Sequence, residues 1–290
     1  MILNDYLKDA KTNGYAIGHF NFSTADVLRG IVEACKESGA PAVMVGTSEG
    51  EARFVGMKEA VALIKVFRED LDFPVFLNAD HFKSFEKCKE AVDVGYDSII
   101  IDASKLPNEE NIVLTKKVVD YARLHQNSEG RSPNISVEGE LGYLRGSSEV
   151  QKKIEISLSD YSKPEEVSDF VLKTGVDRMA IVFGNIHGIV TEQEEKLDIE
   201  HFKKIITAVP NVFYVLHGAS GLSDDDVRAA IKAGITNVHF NTELRVVYTE
   251  GIHKALHDKP DETTPYKYLG PAIDEIKKLV SRKIKLFMRT

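Results

Sequence analysis

Eight short apolar runs, each followed by a helical pattern, set the strongest limit on how this chain can fold. They are YAIGHFN (15–21), PAVMVG (41–46), PVFLNAD (74–80), SIIIDA (98–103), ISVEGE (135–140), RMAIVFG (178–184), VFYVLHG (212–218) and ITNVHFN (235–241). Most are rich in β-branched residues, and none alternates steadily with polar ones. Strands of that kind are buried on both faces, as in a parallel sheet. Helices fit between them. STADVLRGIVEACKESG opens with Ser23 and Asp26 at capping-box spacing and stops at Gly39. SDDDVRAAIKAG repeats the device with Ser223, Asp226 and Gly234, and Gly95 and Gly175 close two more helices. Eight such units in about 250 residues predict one α/β domain over residues 1–290, a single (β/α)8 TIM barrel. An open doubly wound sheet would need GxGxxG after the first strand, where this chain has GHFNFS.

Two segments exceed ordinary loop length. Residues 141–163 separate the fifth strand from its helix, and residues 257–268 precede a last helix near PAIDEIKKLVSRKIKLF. Long loops in a barrel often serve as lids or substrate loops; the bland reading is a surface loop. The net charge of -8 argues against a nucleic-acid partner. Cys35 and Cys88 fall on apolar positions of helical patterns and read as buried thiols. The N-terminus lacks a basic region and an apolar core, and no window holds a membrane-length apolar run. These features predict a soluble cytoplasmic protein with no membrane partner.

Barrel enzymes place their chemistry at the carboxyl ends of the strands, and polar residues collect there. The first strand ends in Asn21, the third in Asn78, Asp80 and His81, and the fourth in Asp102. The fifth supplies Glu138 and Glu140, the sixth leads into GNIHG with His187, and the seventh into HGASG with His217. The eighth carries His239 and ends in Asn241. A lone histidine is more often a core or turn residue than a ligand. Three of them, His81, His187 and His217, at equivalent strand ends suit a catalytic zinc with an open fourth position. His125, His201, His253 and His257 read as helix-face residues; His19 and His239 lie on strands. Asp80 precedes one candidate ligand and could transfer protons beside the metal, or simply cap the helix that begins near Ser84. Gly218, Ser220 and Gly221 permit close backbone approach, and Asn241 and Thr242 sit where a helix begins. Loops after strands seven and eight form the usual phosphate site of this barrel class.

In order along the chain, DH after strand three, VEGELG, GNIHG, HGASG and NTELR resemble the motifs of class II, metal-dependent fructose-bisphosphate and tagatose-bisphosphate aldolases. The resemblance runs from GHFNFS to PYKYLGPA. It implies reversible cleavage of a ketose phosphate into dihydroxyacetone phosphate and an aldehyde. His81, His187 and His217 would hold zinc, Asp80 would move the proton, and Asn21 would hold the enediolate. Gly188, Gly218, Ser220 and Thr242 would line the first phosphate, with a monovalent cation near it. Ser48 and Arg245 match positions for the far phosphate, with Arg245 reaching across from a neighbouring subunit of a homodimer or homotetramer. Asp102 and Glu140 match carboxylates that bind a secondary ion. No Schiff-base lysine is required, and RMAIVFG has none.

Four departures fall on the substrate side. The family usually reads HxDH where this chain has Asn78-Ala79-Asp80-His81. On strand eight His239 replaces a substrate-contacting asparagine, ahead of Asn241 and Thr242. Tyr266 stands where an arginine for the far phosphate is expected. The mobile loop glutamate that moves the dihydroxyacetone phosphate proton falls on Ser148, leaving Glu149 beside it as the candidate. These changes spare the three histidines, Asp80 and Asn21, and point to a ketose with one phosphate or a differently substituted far end. Two other readings stay open: a metal-dependent hydrolase, although His19-x-Asn21 lacks the usual HxH pair, and a non-catalytic barrel that binds a sugar phosphate.

Overall fold

A computed structural model of the chain describes residues 2–125, 134–142 and 144–288. Ten strands occur in it: β1 (Ile17–Asn21), β2 (Val43–Ser48), β3 (Val75–Phe82), β4 (Ser98–Ile101), β5 (Ser136–Leu141), β6 (Gly146–Gln151), β7 (Arg178–Ile181), β8 (His187–Val190), β9 (Phe213–Leu216) and β10 (Ile235–Phe240). The helices are α1 (Leu3–Asn13), α2 (Ala25–Glu37), α3 (Glu49–Val55), α4 (Met57–Leu71), α5 (Phe85–Val94), α6 (Asn108–His125), α7 (Pro164–Thr174), α8 (Ile199–Ala208), α9 (Asp224–Ala233), α10 (Thr242–Asp258) and α11 (Pro265–Met288). Eight strands close a parallel barrel in the order β1, β2, β3, β4, β5, β7, β9, β10. The closing register sets His19 beside His239. This is the (β/α)8 architecture that the apolar runs predict, and its strands are almost wholly buried.

Helix α1 has an apolar stripe of Leu3, Tyr6, Leu7 and Ala10, the spacing of one helix face. The stripe packs on Tyr15, Ile17, Ala42, Met44 and Phe76 at the amino end of the barrel. Burying a large side chain of this kind stabilises by about 1.5–3 kcal/mol. The amino end is thereby shut, and the carboxyl end is left for ligands. Cys35 and Cys88 are buried free thiols.

The barrel centre is polar. Arg178, fully buried, reaches across it from β7. Its guanidinium pairs with Glu138 Oε2 at 2.6 Å and donates to Asn237 Oδ1 at 3.1 Å, Asn78 Oδ1 at 3.3 Å and the Ser98 hydroxyl. Its Nε donates to Ser136 Oγ at 3.2 Å. Four strands, β3, β4, β5 and β10, are thus tied to β7 by one side chain.

Local expectations need three corrections. Thr24, not Ser23, precedes α2 as its cap, and Asp26 accepts a bond from the Tyr248 hydroxyl at 2.6 Å instead of closing a capping box. Residues 257–268 are not a long loop. Helix α10 runs to Asp258 and α11 starts at Pro265, because proline suits a first helical turn. Residues 141–163 contain β6, which pairs in parallel with β8 as a two-stranded ribbon outside the barrel. Ser223 does cap α9, accepting from Asp226 N, and Gly95 and Gly175 end α5 and α7 in the left-handed conformation.

Candidate active site

A pocket of about 350 Å³ opens at the carboxyl ends of the strands. It brings together Asp80, His81, Asp102, Glu140, His187, His217 and His239, which come from β3, β5, β8, β10 and the ends of β4 and β9. A larger open cavity of about 640 Å³ lies between residues 153–161 and 193–196, but it lacks this histidine cluster. The chemistry-bearing residues therefore mark the smaller pocket.

Asp80 and His81 share this pocket although consecutive strand residues normally face opposite sides. The cause is local. His81 has φ +51°, in the left-handed region, and the pairing of β3 with β4 shifts register between Ala79 and Phe82. Backbone of this kind costs of order 1–3 kcal/mol for a non-glycine residue and clusters at functional sites. Asp80 does not cap the next helix; Ser84 does, accepting from Lys87 N at 3.2 Å.

His81, His187 and His217 each offer a ring nitrogen within 4.8 Å of the others. Glu138 fixes the orientation of one of them. Its Oε1 accepts from His217 Nε2 at 2.7 Å, which leaves His217 Nδ1 buried and without a partner among the described residues. Burial first, then the neighbouring His81 and His217, hold the His187 pKa well below its ordinary value, so that ring is neutral. Burial also disfavours a charged His81, but Asp80, Asp102 and Glu140 overcome it and push its pKa up to about 10. The two flanking carboxylates lie close: Asp102 Oδ2 is 3.3 Å and Glu140 Oε2 3.4 Å from His81 Nδ1. Burial, then Asp102, raise Glu140 to about 7. A nitrogen-rich triad that includes the unpartnered His217 Nδ1, set among carboxylates that favour positive charge, fits a divalent ion of the zinc type.

Asp80 is 6% exposed, and burial works against its ionisation. The positive His81 and the bond from Asn21 overcome this and hold its carboxyl below the ordinary value. Asn21 Nδ2 donates to Asp80 Oδ2 and to Glu51 Oε2, each at 2.8 Å. Behind Asp80 three imidazoles form a stack. His239 lies on His19 at 3.8 Å and on His217 at 4.4 Å between ring centroids. Its Nε2 meets Asn237 Oδ1 at 3.0 Å, and its Nδ1 is 3.6 Å from Asp80 Oδ1.

One end of the pocket is backbone-rich. Gly188, Gly218, Ser220 and Thr242 line it. Gly218 has φ +75°, and a Cβ there would lie 2.0 Å from the Ile186 carbonyl, so only glycine fits. Ser220 Oγ accepts from Glu243 N at 3.4 Å at the start of α10. Asn241 lines the same pocket, with its Oδ1 buried and unpartnered among the described residues. Behind the glycines stands Glu195, 5% exposed, whose oxygens have no partner of good geometry among the described residues. Burial pushes its pKa up to about 8 against a weak pull from the Ile186 amide.

The ribbon supplies one wall. Ser148 Oγ is 3.1 Å from Thr242 Oγ1 and accepts from Arg245 at 3.1 Å. Glu149, by contrast, is exposed and not among the residues lining the pocket; the alternation along β6 turns Ser148 inward and Glu149 outward. Arg245 lines the pocket of its own chain rather than reaching only toward a neighbour. The opposite end is formed by Ser48 and Glu51, and Tyr266 is 76% exposed.

Glu51, Glu138, Arg178 and Glu195 are site or supporting residues that sequence reasoning did not single out for roles. Glu51 sits in the quoted GTSEGE and Glu138 in VEGELG, so both were visible. Arg178, the first residue of its strand, reads as a flanking charge, and nothing in the sequence marks Glu195.

The family profile described as "Fructose-bisphosphate aldolase class-II" matches residues 2–290. The fructose-bisphosphate aldolase of Staphylococcus aureus is 38% identical over 290 residues, covering 98% of this chain and 96% of the relative. The probable fructose-bisphosphate aldolase of Bacillus subtilis is 35% identical with the same coverage. Among solved structures, the YdjI aldolase of Escherichia coli K12 superposes with a TM-score of 0.82 at 31% identity, covering 98% of this chain and 96% of that one. A putative fructose-1,6-bisphosphate aldolase of Coccidioides immitis, at 22% identity and a TM-score of 0.84 with 98% and 95% coverage, shares the fold.

Proposed function

Because this chain belongs to the class II fructose-bisphosphate aldolase family and is an aldolase, a lyase, we propose that it cleaves a ketose phosphate reversibly between C3 and C4, with zinc held by His81, His187 and His217. The products are dihydroxyacetone phosphate and an aldehyde. The observation that carries this reading is the placement of an ionised Asp80 beside the triad, in one pocket with the glycine-lined end.

Zinc, when bound, supplies a Lewis acid for the C2 carbonyl and the charge that develops next to it. The remaining roles belong to the chain. Gly188, Gly218, Ser220 and Thr242 bind the C1 phosphate through close backbone approach and hydroxyl groups. Asp80 accepts the proton of the C4 hydroxyl during cleavage and returns it during condensation. Asn21 aims the Asp80 carboxylate through its 2.8 Å bond. Asp102 and Glu140 steady His81 and can take a second ion with it. Ser148, on the ribbon wall, closes the phosphate end. Glu195, buried behind the glycines, can release its proton to hold a monovalent cation there.

The relatives' names point to a fructose bisphosphate; a place in glycolysis, the cytoplasm, and a homodimer or homotetramer go with the same reading. No described helix is long and apolar enough to cross a membrane. The test is cleavage of fructose 1,6-bisphosphate and fructose 1-phosphate, before chelation, after it, and after zinc is restored. Activity that follows zinc supports the reading. Inactivity on both from protein holding one zinc per chain rejects it.

A further inference from the structure

Four carboxylate side chains line the pocket among the described residues: Glu51, Asp80, Asp102 and Glu140. Asp80 serves proton transfer, and Asp102 and Glu140 flank His81. Glu51 is left without a task, and its position assigns one. In the barrel order, β2 stands opposite β7. Ser48 at the end of β2 and Glu51 just beyond it therefore face Gly188, in β8 beyond the end of β7, across the mouth. A ketose whose C1 phosphate sits among the glycines and whose C4 hydroxyl meets Asp80 must send its far carbons toward Ser48 and Glu51. Asn21, bonded to both Asp80 and Glu51, spans that step.

We propose that Glu51 makes this distal end a receptor for hydroxyl groups and a barrier to a second phosphate, so that the preferred substrates are ketose 1-phosphates with an uncharged polyol tail. The inference rests on the aldolase reading above. Glu51 Oε2 accepts from Ser48 N at 2.7 Å as well as from Asn21, so it occupies the amide that a distal phosphate would need. Glu51 lines the pocket, where its second oxygen can accept from a sugar hydroxyl. A carboxylate set against a phosphate is a repulsive element, and such elements supply selectivity as effectively as attractive ones. Tyr266, where an arginine is expected, brings no compensating charge and points into solvent. Lys83 and Lys105 also line the pocket but are exposed side chains, and Arg245 lines it at the glycine end, where it is bonded to Ser148.

The experiment uses the zinc-loaded full chain. kcat/KM is measured on fructose 1-phosphate and fructose 1,6-bisphosphate, and binding of hexitol 1-phosphate and hexitol 1,6-bisphosphate is measured by calorimetry. The wild type is expected to favour the monophosphate of each pair by roughly tenfold or more, the ratio that about 1.4 kcal/mol produces. Glu51→Gln should shift both ratios toward the bisphosphate by a similar factor, while Glu51→Asp keeps the wild-type order. A wild-type preference for the bisphosphate, by way of Lys83 and Lys105, overturns the inference and leaves the aldolase reading standing. So does an equal loss on both substrates in Glu51→Gln with the ratio unmoved, which would mark a residue that only positions Asn21. Cleavage of neither substrate removes the aldolase reading and this inference with it. The wild-type ratios decide the matter even if a variant does not fold.

Discussion

His217 Nε2 and Glu138 Oε1 are 2.7 Å apart in the buried wall of the pocket, and this bond determines which ring nitrogen His217 presents to His81 and His187. An ionised carboxylate can only accept, so Nε2 carries the hydrogen and Nδ1 keeps its lone pair. Partners of this kind orient metal-ligating histidines and raise their basicity. Glu138→Gln is expected to weaken zinc affinity by about 10–100-fold, read by competition with a chromophoric chelator. Unchanged affinity would remove Glu138 from the support of the site.

The other oxygen of Glu138 binds Arg178, with neither side chain exposed. Removing one partner of such a pair leaves an uncompensated buried charge and costs about 3–5 kcal/mol. Arg178→Met is expected to lose that much in urea denaturation of the zinc-free chain. A loss under about 1 kcal/mol would mean that the barrel centre relaxes or admits water.

Asp80→Asn tests the proton-transfer role. The amide keeps the shape and can still meet Asn21, but it cannot accept the hydroxyl proton. Turnover of the best ketose phosphate should fall by about 10²–10⁴-fold, with zinc content unchanged. Loss of zinc together with turnover would instead make Asp80 part of the metal's hold.

Glu195 gives a pH signature. Its pKa is raised to about 8 in the folded chain, so the native state keeps a proton that the unfolded state releases near pH 4.5. Stability from this group is therefore complete below about pH 4.5 and is lost as pH rises through about 8. Glu195→Gln keeps the neutral form at every pH. Its melting temperature should match the wild type's at pH 5 and exceed it at pH 9. Parallel curves would show that Glu195 stays ionised in the fold, and saturating potassium that closes the gap would place a cation beside it.

The barrel and most of its mouth were legible in the sequence because most strands announce themselves as β-branched runs and most runs end at or beside a residue that the pocket uses. Asp80 and His81 could be paired on paper, but the reason they share a face, the left-handed backbone of His81, leaves no mark on composition. Glu149 was legible only as a neighbour of Ser148. Which of the two turns inward depends on the pairing of β6 with β8, a contact between residues far apart in sequence. Arg178 was hidden for a related reason. A charged residue at a strand start ordinarily lies in solvent, and only closure of the barrel turns that position into the centre of the molecule. Helix capping failed at Ser23 because the tertiary bond of Tyr248 to Asp26 outweighs a local one.

The chain His217–Glu138–Arg178 has a consequence for anyone who would redesign this protein. The residue that tunes the ion's ligand is also the counter-ion of the side chain tying five strands together. Libraries that vary Glu138 alone in search of a new metal preference will lower the stability of the barrel along with metal affinity, and will mistake the first loss for the second. The smallest independently variable unit is the triplet, exchanged together for a set that leaves no buried charge unanswered.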